Sequence, residues 1–263
     1  NPARRIYRIN YRDQDYYLKN YQPSDVPGRL KLLLRGPLAR KEFSNLRTAA
    51  RREVPVPVPI AWGEGKIKGR PASVLLTPSL GKVESLEELV WSENSVNTKY
   101  LPEILTSVGA AIARLHCAGI IHHDLHAGNI LIENARGEGL KKAYLTDLQS
   151  VTIETRSGHP SADPTHKDRQ ANLAVIIAAL RHKLPEEIWK HVVIGYLDAL
   201  RPHQVLTADK LRHYYLKLGR LADHHDARVI SSRERRCLRN SRYAKRIKLS
   251  GGWSAQVYLQ HRY

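Results

Sequence analysis

No methionine occurs anywhere in the 263 residues, the first position included, and there are only two cysteines, Cys117 and Cys237. The missing methionines leave open whether segments are absent between distant motifs, so spacings inside compact motifs carry the argument. Two cysteines this far apart make neither a disulfide framework nor a Cys-ligated zinc site, and they fit a reducing cytosol. No run approaches the roughly 20 apolar residues of a membrane helix. No basic segment followed by an apolar core resembles a signal peptide. The expectation is a soluble or peripheral protein. Acidic residues are scarce: 25 Asp and Glu stand against 43 Lys and Arg, a formal charge of +18. Such an excess favours an anionic partner, whether nucleic acid, a phosphorylated substrate or an anionic membrane, and charge alone does not choose among them. What is plentiful is apolar material. A hydrophobic content of 42% supports a sizeable core and excludes general disorder, and the length suits one two-lobed α/β enzyme or two small domains.

Residues Ile6 to Tyr21 alternate, are rich in Tyr and break at Asp13-Gln14-Asp15, which predicts two strands joined by a tight turn, with Lys19 inside the second. From Leu38 to Arg52 the period becomes helical, with Leu38, Leu46 and Ala49 on one face. Glu42 falls on that stripe. A carboxylate facing a core is costly unless paired, so Glu42 either reaches water at the stripe's edge or meets a cation, for which Lys19 is the candidate. Val54 to Pro59 alternates Val with Pro, which forbids helix and predicts a buried extended linker with its valines inward. Ala61-Trp62 and Ala72 to Thr77 read as strands around a turn at Gly63-Glu64-Gly65-Lys66. That Gly-Lys stretch lacks the spacing and the following Ser or Thr of a phosphate loop. From Leu101 onward the pattern is mostly helical, starting with Ile104, Val108, Ala111, Ile112 and Leu115 at helical spacing. Further helices are expected near Asp168 to Lys183, Glu186 to Leu200 and Thr207 to Ala222. Ser79 to Glu84 is the candidate hinge between the strand-rich and helix-rich parts.

The densest chemistry lies in Ile121-His122-His123-Asp124-Leu125-His126-Ala127-Gly128-Asn129-Ile130-Leu131-Ile132, a polar stretch between two apolar segments. Asp124 and Asn129 have the catalytic-loop spacing at which an Asp orients an acceptor hydroxyl and an Asn five residues on ligates magnesium. A second short strand, Ala143 to Thr146, ends in Asp147-Leu148-Gln149, which supplies another oxygen ligand for a hard cation. The rival reading is a zinc cluster of His122, His123, His126 and Asp124. Its residue order is wrong for the usual metallohydrolase, and it leaves Asn129, Asp147, Lys19 and Glu42 unexplained.

The His122 to Asn129 pattern is shared by several kinase-like groups. A more selective ensemble is Tyr16-Tyr17-Leu18-Lys19 with Tyr21, Ala39 to Leu46, Val54-Pro55-Val56-Pro57, and Ser73-Val74-Leu75-Leu76-Thr77. Together these resemble the lipopolysaccharide kinase family, the Kdo/WaaP-like and InaA-like proteins, over roughly Ile6 to Leu180. The resemblance implies an α+β, two-lobed protein-kinase-like fold, with a small β-rich N-terminal lobe (1–80) and a larger, mostly helical C-terminal lobe (81–263). It implies ATP and Mg2+ as cofactors, Lys19 on the α- and β-phosphates, Glu42 holding Lys19, Asp124 as base, and Asn129 and Asp147 on magnesium. His126 would face the transferring phosphate. The implied acceptor is a heptose or Kdo hydroxyl of lipopolysaccharide core, with a soluble small molecule or a protein as the alternative. Nucleic acid is not implied, and the expected location is the cytoplasm, peripheral on the inner membrane's cytoplasmic face.

Three features depart from the kinase pattern. No glycine-rich loop precedes Tyr7, Gln149 stands where protein kinases have Gly, and Asn172 takes the place of a helix-start Asp, for which Asp168 is a substitute. Arg235, Arg239, Arg242 and Arg246 are spaced by four, three and four residues. That spacing predicts four guanidiniums on one helical face, either merely solvated or meeting an anionic membrane. Gly251-Gly252 followed by Val257-Tyr258-Leu259 reads as a turn and a strand without an identified partner.

Overall fold

The computed structural model describes residues 4–22, 36–92, 98–137, 139–154, 163–200, 207–237, 244–248 and 254–258. Strands β1 (Arg4–Tyr11) and β2 (Gln14–Tyr21) form a hairpin. Its two turn residues, Arg12 and Asp13, take φ of 51° and 59°, the left-handed pair whose twist suits a two-residue connection. Strands β3 (Ala61–Ile67) and β4 (Arg70–Pro78) complete an antiparallel sheet in the order β1-β2-β4-β3. The expected turn at Gly63 to Lys66 is corrected here. Those residues pair with β4, Gly63 opposite Val74 and Gly65 opposite Ala72, and the chain reverses at Lys68 and Gly69, with φ of 51° and 74°.

Helix α1 (Leu38–Arg51) covers this sheet through Ala39, Glu42, Leu46 and Ala49. Leu38, expected on that stripe, is 47% exposed. It precedes Ala39 by one residue, which on a helix turns it about 100° away from the buried line. In the proline-rich linker Val54 and Val56 are buried as expected, and the Pro55 carbonyl accepts the Leu145 N–H at 2.8 Å. Val58 instead faces out, because Pro57 and Pro59 take the inner positions.

The helix-rich part begins after β5 (Val83–Ser85) with α2 (Leu86–Trp91), whose N-cap Ser85 forms a capping box with Glu88. Helix α3 (Leu101–Cys117) runs through the core: Ile104, Val108, Ala111, Ile112 and Leu115 are all buried. After it come β6 (Ile120–His122), β7 (Ile130–Glu133), β8 (Lys142–Leu145) and β9 (Val151–Ile153). These make two small antiparallel sheets, β5-β7-β8 and β6-β9. They hold the segment between β6 and β7 at both ends.

Helices α4 (Lys167–Arg181), α5 (Glu186–Leu200) and α6 (Ala208–Cys237) follow. Helix α6 continues well past the expected Ala222. Strands β10 (Ala244–Lys248) and β11 (Ser254–Tyr258) pair antiparallel, Arg246 opposite Gln256, which supplies the partner the sequence left unidentified. The single helical face of four arginines is therefore not formed. Arg235 lies on α6 and Arg246 on β10, while Arg239 and Arg242 fall outside the described residues. The physical reason is the strand pairing of 244–248, which takes Arg246 off the helical period.

Candidate active site

Period two places Lys19 and Tyr21 on the same face of β2, and that face meets α1. Glu42, fully buried, receives both: Lys19 Nζ lies 2.7 Å from Glu42 Oε1, and the Tyr21 hydroxyl donates to Glu42 Oε2. Of the two readings left open for Glu42, the paired one describes the molecule. Burial first, then the charge and hydrogen bond of Glu42, push the Tyr21 phenol pKa far upward, so it stays a donor.

Asp147 stands opposite this pair, with Lys19 Nζ 4.0 Å from its Oδ1. Its φ of 64° is the left-handed conformation that Asp tolerates better than most residues. Arg4, from the far end of β1, donates to Oδ2. Asn45, one turn after Glu42, donates to the Leu148 carbonyl at 2.6 Å and ties α1 to the Asp147 segment. Sequence reasoning passed over both Arg4 and Asn45. For Asn45 a signal existed, since a polar residue three positions after Glu42 points toward the same side of the helix.

The segment between β6 and β7 is braced from within. The Asn129 amide donates to the Asp124 carbonyl at 2.9 Å, and the Asn129 carbonyl accepts the Thr146 N–H at 2.9 Å. His122 Nδ1 accepts the Asp124 N–H at 3.2 Å, and its Nε2 lies 3.1 Å from the Thr146 carbonyl. Those partners assign the proton to Nε2 and a neutral ring, in line with a pKa lowered chiefly by burial. His126 is exposed and caps the short 3₁₀ turn Ala127–Asn129, its Nδ1 accepting the Gly128 N–H at 3.1 Å. His123 Nε2 is 2.7 Å from Thr152 Oγ1. The three histidines thus have separate partners, and the described residues contain no group of three His, Cys, Asp or Glu side chains arranged to hold a metal. Asp124 itself is exposed.

Asn172 fixes this segment from below. It lies on the second turn of α4, not at the helix start, and its side chain engages both backbone groups of His122: Oδ1 accepts the N–H at 3.2 Å and Nδ2 donates to the carbonyl at 2.9 Å. A carboxylate could not make the second bond, so an amide suits this position better than the expected Asp. Asp168 is exposed and does not substitute for it. His116 on α3 extends the network, with Nε2 3.2 Å from Asn172 Oδ1 and Nδ1 2.9 Å from the Tyr196 hydroxyl on α5. Neither His116 nor Tyr196 stood out in the sequence, because each sits within an ordinary apolar helix.

Lys19, Glu42, Asn129 and Asp147 all border one cavity of about 760 Å³, with Arg4 on its rim and Ile6, Leu80 and Leu131 supplying apolar wall. Asp124 and His126 do not line it. Two oxygens in this cavity suit a hard divalent cation. Asp147 Oδ1 is buried without a hydrogen bond, and the Asn129 side-chain oxygen is free for coordination once its nitrogen is used on Asp124.

Comparison with known proteins agrees with this architecture. A RIO-type serine/threonine-protein kinase, Rio1 of Haloferax volcanii, is 30% identical over 165 residues, which is 61% of this chain and 50% of that protein. The chain thus spans about half the length of this curated relative. A solved structure of WaaP in complex with acyl carrier protein shares the fold at a TM-score of 0.53 and 19% identity, covering 83% of this chain and 85% of that one. The model of the lipopolysaccharide kinase (Kdo/WaaP) family matches residues 5–196, and with most of the chain and Lys19, Glu42, Asp124, Asn129 and Asp147 inside that match, the protein belongs to this family.

Proposed function

We propose that the protein transfers the γ-phosphoryl group of ATP to a sugar hydroxyl, a heptose or Kdo of lipopolysaccharide core, at the cytoplasmic face of the inner membrane. The observation that carries this reading is the buried Lys19–Glu42 pair facing Asp147 and Asn129 across one cavity. Lys19, held in place by Glu42 at 2.7 Å, neutralises the α- and β-phosphates, and the apolar wall accepts the base. Asn129 and Asp147 would hold Mg2+, which would screen the phosphate charge during transfer. Asp124 orients the acceptor hydroxyl and takes its proton. The acceptor oxygen bonds to the γ-phosphorus, the bond to the β-bridging oxygen breaks, and ADP leaves with that electron pair. His126, capping the turn beside the cavity, is assigned to positioning. The hinge is placed at Ser79 to Glu84, between a nucleotide-binding lobe (1–80) and an acceptor-binding lobe (81–263).

A second reading, transfer to a protein hydroxyl, rests on the Rio1 match. Mass spectrometry of lipopolysaccharide from a deletion strain separates the two, since only the first predicts loss of one phosphate from a core sugar. Asp124→Ala is expected to fold and to lose about 100- to 10,000-fold in turnover, the contribution typical of a positioned base. A single-turnover rate within about threefold of wild type would remove Asp124 from that role.

A further inference from the structure

Arg4 opens β1 directly opposite Tyr21, just as Ile6 stands opposite Lys19. Residues paired across neighbouring strands share a face of the sheet, so all four lie on the side that meets α1. Arg4, Ile6 and Lys19 border the cavity. Two cations of one face thus enter one site, and each has its own carboxylate: Glu42 for Lys19 and Asp147 for Arg4.

The two pairs differ in what they leave free. Glu42 gives one oxygen to Lys19 and the other to Tyr21, which closes that pair. Asp147 gives Oδ2 to Arg4, while its Oδ1 is buried without a hydrogen bond. Asp147 is also one of the two side chains assigned above to the divalent cation. A guanidinium seated on a carboxylate repels a second cation approaching the same group. The Arg4 side chain is 30% exposed, against 13% for Lys19, 7% for Asp147 and none for Glu42. Of the four charged groups, Arg4 therefore turns away with the least disturbance of buried charge.

We propose that Arg4 is a nucleotide-binding residue with two posts. In the empty site it neutralises Asp147 and holds a free divalent cation off. When metal-bound ATP enters, Arg4 leaves Asp147 and its paired N–H donors take phosphate oxygens. In phosphoryl transfer the cation bridges the β- and γ-phosphates, so a guanidinium that yields its place on Asp147 is left beside those oxygens. The assignment rests on the kinase reading above for the nucleotide, and on the Arg4–Asp147 pair for the competition with metal.

The full chain is titrated with Mn2+ alone, followed by its paramagnetic resonance signal. Separate calorimetric titrations use ADP and a β,γ-imido analogue of ATP, each with Mg2+. Arg4→Gln is expected to bind Mn2+ alone at least threefold more tightly than wild type, and to lose at least tenfold in affinity for the ATP analogue with a smaller loss for ADP. These changes run in opposite directions, whereas a merely structural role would weaken metal and nucleotide together. Arg4→Lys keeps a cation on Asp147 and so keeps Mn2+ weak, yet restores only part of the affinity for the ATP analogue, because it lacks the paired donors. In an Asp147→Asn background, Arg4→Gln no longer alters Mn2+ binding. Unchanged Mn2+ affinity in Arg4→Gln, or equal losses for ADP and the ATP analogue, would overturn the proposal. A wild type that binds neither nucleotide rejects the kinase reading and the phosphate post with it. A wild type that binds both, with Arg4→Gln indistinguishable from it, overturns the Arg4 assignment alone.

Discussion

Glu42 concentrates the energetics of the site in one side chain, since each carboxylate oxygen has its own donor and none of the group reaches water. A buried carboxylate with one partner removed is far costlier than one never placed there. Glu42→Gln keeps the shape and removes the charge, leaving Asp147, at 4.0 Å, as the charged partner of Lys19 among the described residues. Hydrogen bonds to charged groups contribute about 1.5–3 kcal/mol, so urea denaturation should show a loss in that range. KM for ATP should rise as Lys19 loses its orientation. An unchanged denaturation midpoint together with unchanged KM would mean the pair supports neither the fold nor the nucleotide. This pairing was half legible in the sequence. Helical spacing puts Glu42 on the apolar stripe, but whether it meets Lys19 or water depends on how closely α1 packs on β2, which no local pattern encodes.

Between elements, the tightest constraint is the crossing of α3 and α5. A Cβ on Gly195 would stand 2.0 Å from the Thr106 carbonyl oxygen, and one on Gly109 would stand 2.0 Å from that of Val192. Backbone on both sides leaves no flexible side chain to give way. Gly195→Ala should therefore force the helices apart and cost about 1–3 kcal/mol or more, by overpacking. Tyr196, the next residue, holds His116, and through it Asn172 and the His122 backbone. The same substitution should thus lower turnover, while Ala at the open Gly219 on α6 should gain helix propensity and leave turnover unchanged. Equal stability of Gly195→Ala and wild type would contradict this crossing. Glycine inside a helix costs helix propensity, and the reason for these two exists only where two helices meet.

For the molecule as a whole, that polar network predicts how stability responds to pH. His116 is held neutral, its pKa pushed down to about 3, above all by burial, and His122 is shifted the same way. In the unfolded chain an imidazole takes up its proton near pH 6.5. The unfolded state therefore binds more protons between about pH 6.5 and 3, and the neutral rings' contribution is complete above that window and lost as pH falls through it. The expected slope is up to about 1.4 kcal/mol per pH unit for each histidine. His116→Gln should remove about one proton from the slope measured by denaturation between pH 6.5 and 5. An unaltered slope would show that His116 titrates alike in both states.

The sequence by itself determined the first hairpin, the main helices, the catalytic-segment spacing and the family, because alternation, helical period and compact motifs are local properties written in neighbouring residues. The tertiary structure decided the rest. Strand pairing took Arg246 off the expected helical face. Packing at the α3–α5 crossing set His116 within reach of Tyr196, and the end of β1 brought Arg4 to Asp147. Each of these is a meeting of residues distant in the chain, and such meetings depend on how whole elements pack, which local spacing does not specify.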